Sequence, residues 1–247
     1  MNVDERRVLV VGASSGVGRA IAEALAARGA RVAFAARRAN LVEEAARTAG
    51  SGCIGVPCDV RDDASCAAMV AATVDAFDGL DTLIYAAAVG PLKSLRDMDG
   101  ATWRDTLEIN LIGAGVTTAA AVGHLEASGA GRAMYLSSVN GGTSAPWPGL
   151  GVYAVSKAGL ERMVDCWRVE HPEVRFSSLV LGPIAGAVGA PASFAESWDM
   201  ETAGEFVQSW SSLGLFKSAV VDAAELTEQV VVILNSSGSF SRVVLEP

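Results

Sequence analysis

Short runs of consecutive apolar residues alternate with longer, alanine-rich stretches along most of the chain. Uninterrupted apolar runs are typical of strands buried on both faces, and apolar positions three or four residues apart are typical of helices that pack on them. The pattern predicts strands at Arg7–Gly12, Arg31–Ala36, Cys53–Pro57, Leu80–Ala86, Arg132–Ser138, Val174–Leu181 and Arg242–Leu245. It predicts helices at Gly16–Arg28, Asn40–Ala49 (capped by its asparagine), Asp62–Phe77 (capped by its first residue), Thr102–Ala127, Val152–Glu170 and Ala223–Leu234.

Regular alternation of strand and helix is typical of the α/β class, because parallel strands need helical crossovers. We therefore expect one domain with a doubly wound parallel sheet, the Rossmann fold, of about seven strands with helices on both faces. Two segments rich in glycine and proline interrupt the alternation, Asn140–Gly151 and Gly182–Ser212. Loops at the carboxyl ends of strands bind ligands in such sheets, so these segments are candidates for the substrate side, with a lid at about 183–212.

Composition narrows the class of protein. The 247 residues are 51% hydrophobic and 19% charged, which is typical of a folded chain. A net charge of -9 argues against nucleic acid or an anionic membrane surface as the main partner. The four cysteines show no metal-binding spacing, so we expect reduced thiols and no metal. We see no signal-peptide run and no stretch apolar for long enough to span a bilayer, and so expect a cytoplasmic protein.

A glycine-rich turn follows the first predicted strand. Glycines at this place allow a tight turn and a close approach of backbone to a pyrophosphate, which the following helix N-terminus favours. An ordinary glycine turn is the alternative. The candidate cofactor-binding residues are Gly12, Ser14, Ser15, Gly16, Val17 and Gly18.

The end of the second strand bears on the choice between NAD and NADP. An acidic residue there suits the ribose hydroxyls of NAD, whereas cations suit the 2′-phosphate of NADP. The chain has Arg37 and Arg38 at this place and no carboxylate before Glu43, so NADP(H) is favoured over NAD(H). The alternative is that both arginines are ordinary surface residues. Asp59, after the third strand, is a candidate for the adenine amino group or, equally, for a helix cap.

Tyr153 and Lys157 lie four residues apart in a predicted helix and therefore share one face. A phenol is a poor base at neutral pH, and a neighbouring ammonium favours its phenolate. Such pairs are common by chance. Here the pair follows a glycine-rich turn, a Ser137-Ser138 pair at a strand end and an asparagine, Asn110, inside a helix.

Taken in this order, the motifs resemble the short-chain dehydrogenase/reductase family over essentially the whole chain. The matching pieces are the Gly12/Gly16/Gly18 loop, Asp59-Val60, Glu108-Ile109-Asn110-Leu111, Ser138-Val139-Asn140-Gly141, Tyr153 with Lys157, and Gly182-Pro183-Ile184. The resemblance also implies that Val60, Ala87, Gly182, Pro183 and Ile184 border the cofactor, together with Tyr153 and Lys157.

The resemblance implies a catalytic group of four residues. Tyr153 would be the acid when a carbonyl is reduced and the base when an alcohol is oxidised. Ser138 would hydrogen-bond the substrate oxygen, with Ser137 as the alternative. Lys157 would bind the nicotinamide ribose and lower the pKa of the tyrosine. Asn110 would hold a water through a local break in its helix, or would only cap that break.

Several positions depart from the family pattern. Val11 replaces the usual threonine of the glycine loop, and Tyr85-Ala86-Ala87-Ala88 replaces Asn-Asn-Ala-Gly. After the sixth strand, Gly186 stands where a threonine is usual, although Ile184 can still offer its backbone to the carboxamide. These changes concern the affinity for the cofactor more than the catalytic residues.

The expected activity is hydride transfer between NADP(H) and a compact, largely apolar ketone or secondary alcohol. The alternatives are reduction of an imine or a C=C bond, or a cofactor-sensing protein without turnover. The aromatic residues of the two unusual segments either line the substrate pocket or pack as an ordinary lid; they are Trp147, Phe194, Trp198, Phe206 and Trp210. Family members pair through the two long helices, so we expect a homodimer or a homotetramer.

Overall fold

A computed structural model describes residues 1–185, 198–215 and 220–246 of the protein. Its strands in chain order are β1 (Arg7–Val11), β2 (Arg31–Ala36), β3 (Cys53–Pro57), β4 (Thr82–Tyr85), β5 (Arg132–Ser138), β6 (Arg175–Leu181), β7 (Ile184–Ala185), β8 (Val221–Asp222) and β9 (Arg242–Leu245). Within the described residues, seven of them form one sheet in the order β3-β2-β1-β4-β5-β6-β9, and β7 pairs separately with β8.

The helices are α1 (Gly16–Ala26), α2 (Ala39–Ala49), α3 (Asp63–Phe77), α4 (Gly100–Leu107), α5 (Gly113–Ala127), α6 (Gly151–Glu170), α7 (Met200–Ser212) and α8 (Ala223–Asn235). Every pairing within the seven-stranded sheet is parallel. The strand order reverses between β1 and β4, and ligands of open α/β sheets bind at such a switch point. The predicted doubly wound parallel sheet is confirmed.

Two apolar clusters cover the faces of the sheet. One joins α1, α2 and α8 to the strands, with Ile21, Val42 and Leu226 buried in it. The other joins α3, α5 and α6, with Met69 and Leu160 buried in it. Because both faces are covered, the strands show continuous apolar runs, and this explains why their bounds could be predicted from the sequence.

Some element boundaries differ from the prediction. Helix α2 begins at Ala39 with Arg38 as its N-cap, so the predicted cap at Asn40 is wrong. The acidic cap of α3 is confirmed, since the Asp62 carboxylate accepts a hydrogen bond from the Ala64 amide. The predicted long helix around Asn110 is two helices, α4 and α5, joined by a π-helical segment at Glu108–Ile112. Such segments are frequent at functional sites.

The predicted lid at 183–212 contains more regular structure than its glycines and prolines indicated. Helix α7 occupies Met200–Ser212, and the side chain of Asp199 caps it. Its apolar residues recur on one face, a signal hidden by the irregular composition of the residues before it. Residues 186–197 of the predicted lid, with Phe194 and Gly186, lie outside the described residues.

One helical stretch bears on membrane association. By length and composition alone, Gly100–Ala127 is apolar enough to cross a membrane, so the expectation that no stretch reaches this threshold is wrong. In this fold the stretch is α4, the π-helical segment and α5, and α5 packs against α3. The core helix of a soluble protein passes the same threshold.

Candidate active site

One cleft of about 1250 Å³ opens at the carboxyl ends of the strands. Each residue predicted to bind the cofactor lines it, and so do Ser138, Tyr153 and Lys157. Asn110 lies behind the cleft and is fully buried. The candidate site residues, spread over most of the sequence, therefore converge because parallel strands place their carboxyl ends at one edge of the sheet.

The glycine loop is shaped by close backbone contacts. Gly12 has φ +92°, and a Cβ there would lie 2.5 Å from the Ala87 nitrogen. A Cβ on Gly18 would lie 2.5 Å from the Gly12 carbonyl oxygen. Helix α1 begins at Gly16, so its free amide groups are directed at the floor of the cleft. The loop is a cradle of backbone that suits a pyrophosphate.

Two exposed arginines stand at one end of the cleft. The Arg38 guanidinium donates from Nη2 to Ser14 Oγ (2.8 Å) and to Ser15 Oγ (2.7 Å). Arg37 is exposed and its charge acts on Asp59. The arginines, the two serine hydroxyls and the start of α1 thus form a patch of hydrogen-bond donors and positive potential, which we call the arginine end of the cleft.

Asp59 lines this end but does not cap a helix, so that alternative is wrong; Asp62 caps α3. The carboxylate of Asp59 accepts hydrogen bonds from Arg61 Nε (3.0 Å) and Nη2 (2.7 Å). These bonds lower the pKa of Asp59 to about 2. Arg61 also donates to Asp105 Oδ1 (3.0 Å) on α4, and so connects two rims of the cleft. Arg61 was not among the predicted site residues, because nothing in its spacing in the sequence indicates this bridge.

At the opposite end of the cleft, the Tyr153 phenol hydrogen-bonds the Ser138 hydroxyl. Burial raises the pKa of Tyr153 to about 12, and the bond from Ser138 acts in the lowering direction. The other candidate, Ser137, donates instead to Glu161 Oε1 (2.7 Å). The geometry therefore favours Ser138 over Ser137 as the partner of the tyrosine.

Lys157 lies beneath the tyrosine in helix α6. Its ammonium is 5.7 Å from the centre of the Tyr153 ring and donates to the Leu136 carbonyl (2.7 Å). Burial lowers the pKa of Lys157 to about 8, and the charge of Glu161 opposes this. The resemblance implied a lysine that lowers the pKa of the tyrosine. In this structure burial is the larger influence on both groups: it raises the pKa of Tyr153 and lowers that of Lys157, although Lys157 remains mostly charged at neutral pH.

The Asn110 side chain connects the π-helical segment to its neighbours. Its Nδ2 donates to the Val89 carbonyl (2.8 Å) and to Ser156 Oγ (2.9 Å), and its Oδ1 accepts from the Val89 amide (2.8 Å). Ser156 in turn donates to the Tyr153 carbonyl (2.7 Å). The asparagine therefore holds the backbone of helix α6 in place through Ser156, which was not among the predicted site residues. Its predicted role in holding a water stays a prediction.

Tyr85, one of the departures from the family pattern, has a structural role. It ends β4, is fully buried, and donates its hydroxyl to the Ile109 carbonyl (2.6 Å) in the π-helical segment. π-Helical geometry interrupts the regular hydrogen bonding of a helix, and a buried carbonyl without a partner is costly. The phenol supplies such a partner one residue before Asn110.

Aromatic side chains form the wall nearest Tyr153, which we call the aromatic end of the cleft. Trp147, Trp198 and Trp210 line it. The ring centres of Trp147 and Trp210 are 5.0 Å apart, and those of Trp198 and Trp210 are 5.9 Å apart. Trp210 Nε1 donates to the Pro148 carbonyl (2.7 Å) and Trp198 Nε1 to the Gly90 carbonyl (2.7 Å). These three rings therefore line the cleft and also pack on one another, whereas Phe206 stacks on Trp210 (ring centres 6.3 Å apart) and is not among the lining residues. That they line a substrate pocket stays a prediction.

No metal centre is evident in the part of the chain that the structure describes, where His, Cys, Asp and Glu side chains do not gather in groups of three.

Comparisons with known proteins agree with this geometry. The family model described as short chain dehydrogenase matches residues 6–196. Cis-4-hydroxycyclohexanecarboxylate dehydrogenase from Sinomonas cyclohexanicum is 35% identical over 162 residues, which are 64% of this chain and 64% of that protein. The 11-beta-hydroxysteroid dehydrogenase-like 3 protein of Arabidopsis thaliana is 32% identical over 196 residues, or 77% of this chain and 62% of that one. Each match spans less than two thirds of the relative.

Among solved structures, an alcohol dehydrogenase from the archaeon Thermococcus sibiricus, complexed with 5-hydroxy-NADP, has a TM-score of 0.80. It is 22% identical, and the match covers 96% of this chain and 94% of that one. At this identity the likeness shows the fold alone.

Proposed function

Because this chain belongs to the short-chain dehydrogenase/reductase family, and is thus an oxidoreductase, we propose that it interconverts a ketone and a secondary alcohol with NADP(H). The observation that carries the proposal is the hydrogen-bonded Ser138–Tyr153 pair, with the Lys157 ammonium beneath it, at the aromatic end of a cleft that begins at a glycine loop. Catalytic roles for these residues, and for Asn110 behind them, are part of the proposal.

The residues of the cleft fit a nicotinamide dinucleotide. The backbone cradle at Gly12 and Gly18, which a Cβ would fill, would hold the pyrophosphate at the start of α1. Asp59, Val60 and Ala87 would border the adenosine, and Gly182, Pro183 and Ile184 the nicotinamide. When bound, the cofactor supplies the hydride.

The protein's own groups would handle the proton. With a pKa of about 12, Tyr153 holds its proton at neutral pH and can donate it to a carbonyl oxygen as negative charge develops there. Ser138 would donate a second hydrogen bond to the same oxygen. In the oxidative direction Tyr153 must accept a proton, and the positive charge of Lys157 favours the phenolate.

The preference for NADP(H) over NAD(H) rests on Arg37 and Arg38. A 2′-phosphate carries two negative charges near neutral pH and accepts several hydrogen bonds, which guanidinium groups donate in a planar fork. The hydroxyls of Ser14 and Ser15, already within reach of Arg38, are further donors at the same place. In a protein of net charge -9, such a local patch supplies the attraction that the overall charge does not.

For the substrate we propose a compact, apolar, alicyclic ketone or alcohol. Three indole rings beside Tyr153, with interplanar angles of 53° and 67°, offer an uncharged, apolar surface that suits a compact alicyclic ring. One relative is named as a dehydrogenase of a hydroxycyclohexanecarboxylate and another as hydroxysteroid dehydrogenase-like, and both names describe alicyclic alcohols.

The test is a substrate screen that follows NADPH absorbance with alicyclic ketones, open-chain ketones, imines and enones. We expect turnover of the alicyclic ketones and loss of about a hundredfold or more of that rate in Tyr153→Phe, since general acid catalysis contributes ~10²–10⁴. Tyr135→Phe, which removes the hydroxyl of another buried tyrosine, serves as the matched control. Turnover of imines or enones alone would favour the alternative chemistry, and NADPH binding without any turnover would favour a sensor.

The same family also leads us to propose a homodimer or homotetramer that pairs through α5 and α6. Ile112, directly before α5, and Val155, in the second turn of α6, are 53% and 50% exposed, as expected for apolar residues that a second copy would cover. Light scattering of the purified protein measures the mass that decides this.

A further inference from the structure

Asn140 brings to the wall of the cleft a polar side chain that the proposed chemistry does not use. It lies in the short helical turn Val139–Gly141 that follows β5, two residues beyond Ser138. The residue lines the cleft and is only 8% exposed. A side-chain amide that is almost buried costs free energy unless its polar atoms find partners, so its hydrogen bonds need to be accounted for.

The Asn140 side chain is held in one orientation. Its backbone N–H donates to Ser138 Oγ (3.3 Å), and its Oδ1 accepts a hydrogen bond from the Trp147 backbone amide (3.0 Å). Only the oxygen of a side-chain amide can accept from a backbone N–H, so the position of Nδ2 is determined as well. A Cβ on Gly141 would lie 2.9 Å from Glu161 Oε1, which shows that the turn packs closely on helix α6. The amide is therefore preorganised beside Ser138.

The Nδ2 of Asn140 is a hydrogen-bond donor without a partner among the described residues. In the same part of the chain, the side-chain polar atoms that are both fully buried and unpartnered belong to Arg6 and Arg132, so Asn140 Nδ2 is accessible. Because the residue lines the cleft and is otherwise buried, the nitrogen is accessible from the cleft. A ligand that displaces water from Nδ2 must therefore replace the hydrogen bond that the water accepted.

We propose that Asn140 determines substrate specificity by donating a hydrogen bond from Nδ2 to a second, uncharged oxygen of the ketone. The inference rests on the proposed function, in which the first oxygen accepts hydrogen bonds from Tyr153 and Ser138. Residues two apart in the chain are separated by at most ~7 Å between Cα atoms. The two oxygens therefore belong to one compact molecule, with an ether, hydroxyl or carbonyl oxygen on the same ring as the reacting ketone.

The charges around the cleft favour an uncharged second oxygen over a carboxylate. Among the described residues that line the cleft, the cations are Arg37 and Arg38 at the arginine end and Lys157. The Lys157 ammonium lies beneath Tyr153 and already donates to the Leu136 carbonyl (2.7 Å). A carboxylate beside the tryptophan wall would lose its hydration and gain one neutral amide in return. A single donor suffices for an ether, hydroxyl or ketone oxygen.

The experiment compares ketones that differ by one oxygen atom. The ketones 3- and 4-methoxycyclohexanone are matched with 3- and 4-ethylcyclohexanone, in which a methylene group replaces the ether oxygen. We measure kcat/KM with NADPH and, separately, binding of each ketone by quenching of tryptophan fluorescence. At the better of the two ring positions, we expect the methoxy ketone to exceed its ethyl counterpart about tenfold in both measurements, because the ethyl ketone leaves Nδ2 unpaired.

Asn140→Asp tests whether this residue is the cause. The carboxylate keeps an oxygen for the Trp147 amide and replaces the donor Nδ2 with an acceptor. The methoxy-to-ethyl ratio should fall to one or below, and any general loss of activity cancels in a ratio measured within one variant. Ser144→Ala is the matched control, because Ser144 lies in the same loop, donates to the Val139 carbonyl (3.2 Å) and is not among the described lining residues. It should keep the tenfold ratio.

Other results would count against the proposal in distinguishable ways. A ratio near one in the wild type, or a tenfold ratio that Asn140→Asp leaves unchanged, would overturn the role of Asn140. A preference of tenfold or more for 4-oxocyclohexanecarboxylate over 4-methoxycyclohexanone would overturn the choice of an uncharged oxygen. If no ketone is reduced, the proposed function fails, while the ratio of ketone affinities from fluorescence still decides whether Asn140 selects the second oxygen.

Discussion

The two ends of the cleft hold their polar groups in contrasting ways. At the arginine end, Arg37, Arg38 and Arg61 are on or near the surface, and Arg61 is paired with the Asp59 carboxylate. At the aromatic end, Tyr153 and Lys157 are 7% and 3% exposed, beneath a wall of tryptophans. The first end is open and carries charge, and the second is enclosed and excludes water.

The pKa shifts show what this contrast means. Arg61 lowers the pKa of Asp59 to about 2, so the ion pair favours the charged carboxylate. Burial lowers the pKa of Lys157 to about 8, so the enclosed end disfavours its charge. The arginine end can therefore bind an anion at little cost to the fold, whereas the aromatic end keeps a charged group at the expense of stability. Destabilising groups of this kind concentrate at catalytic sites.

The largest effect we predict concerns the loss of stability caused by burying the charged Lys157 side chain. Burial of the Lys157 charge destabilises the fold by about 3 kcal/mol at neutral pH, of which the hydrogen bond to Leu136 offsets about 1 kcal/mol. Lys157→Met should therefore raise stability by about 2 kcal/mol and the Tm by roughly 4–8 °C while removing activity. Differential scanning calorimetry without nucleotide measures this. A lower Tm would contradict the contrast between the two ends.

The pH dependence of the Tm of wild type and of Lys157→Met tests the same cause. Between pH 8 and the ordinary lysine value of 10.5, unfolded Lys157 binds more protons than folded Lys157, so its destabilising effect fades as the pH rises. The Tm difference between wild type and Lys157→Met should therefore shrink from pH 8 to pH 10. The range ends at pH 10 because Tyr153 titrates above it, from an ordinary value of 10 to about 12 in the fold. A constant difference would mean that burial of the charge is not the cause.

A smaller effect is expected at the arginine end. Arg37→Ala should weaken NADPH binding about tenfold and leave NADH binding nearly unchanged, because a charge-assisted hydrogen bond to the 2′-phosphate contributes about 1.5 kcal/mol or more. Its Tm should stay within about a degree of the wild type, since the side chain is exposed. Fluorescence titration with each nucleotide measures both affinities. Arg47→Ala is the matched control, since Arg47 is also an exposed arginine but lies on α2.

Equal weakening of NADPH and NADH in Arg37→Ala would remove the basis for the 2′-phosphate assignment. It would leave the assignment of the aromatic end untouched, because no group there contributes to the choice between the two nucleotides.

The smallest effect we predict is a change in the KM for the ketone without a change in the Kd for NADPH. Trp210→Phe removes the hydrogen bond to the Pro148 carbonyl and loosens the aromatic wall. We expect the KM for the ketone to rise about threefold to fivefold, the effect of a single neutral hydrogen bond, with an unchanged Kd for NADPH. Trp167→Phe is the control, since Trp167 stacks on Phe176 away from the cleft. A parallel rise in both constants would show that the wall supports the whole cleft.

Much of the fold could be predicted from the sequence, and the reason is local. The bounds of β2, β3, β5 and β9 were predicted to the residue. In β2 and β5 nearly every residue is buried, as expected for strands covered on both faces, whereas β9, at the edge of the sheet, was indicated by its short apolar run although its residues are exposed or half-buried. The glycine loop, the arginines after β2 and the Tyr153/Lys157 spacing were likewise visible, because each depends on neighbours in the chain. Helix α7 was not predicted, because the glycine- and proline-rich residues before it obscured its pattern. The start of α2 was predicted one residue too late, because Asn40 is a plausible cap.

The tertiary structure alone decided which distant groups meet. Tyr85 reaches the Ile109 carbonyl, Arg61 connects Asp59 to Asp105, and Ser138 rather than Ser137 contacts Tyr153. None of these contacts has a signature in spacing, because each joins separate elements at the edge of the sheet. Burial decided the charges as well, since the pKa of Lys157 depends on how much water the surrounding core excludes. The sequence determines which groups are present, and packing determines their partners and their ionisation.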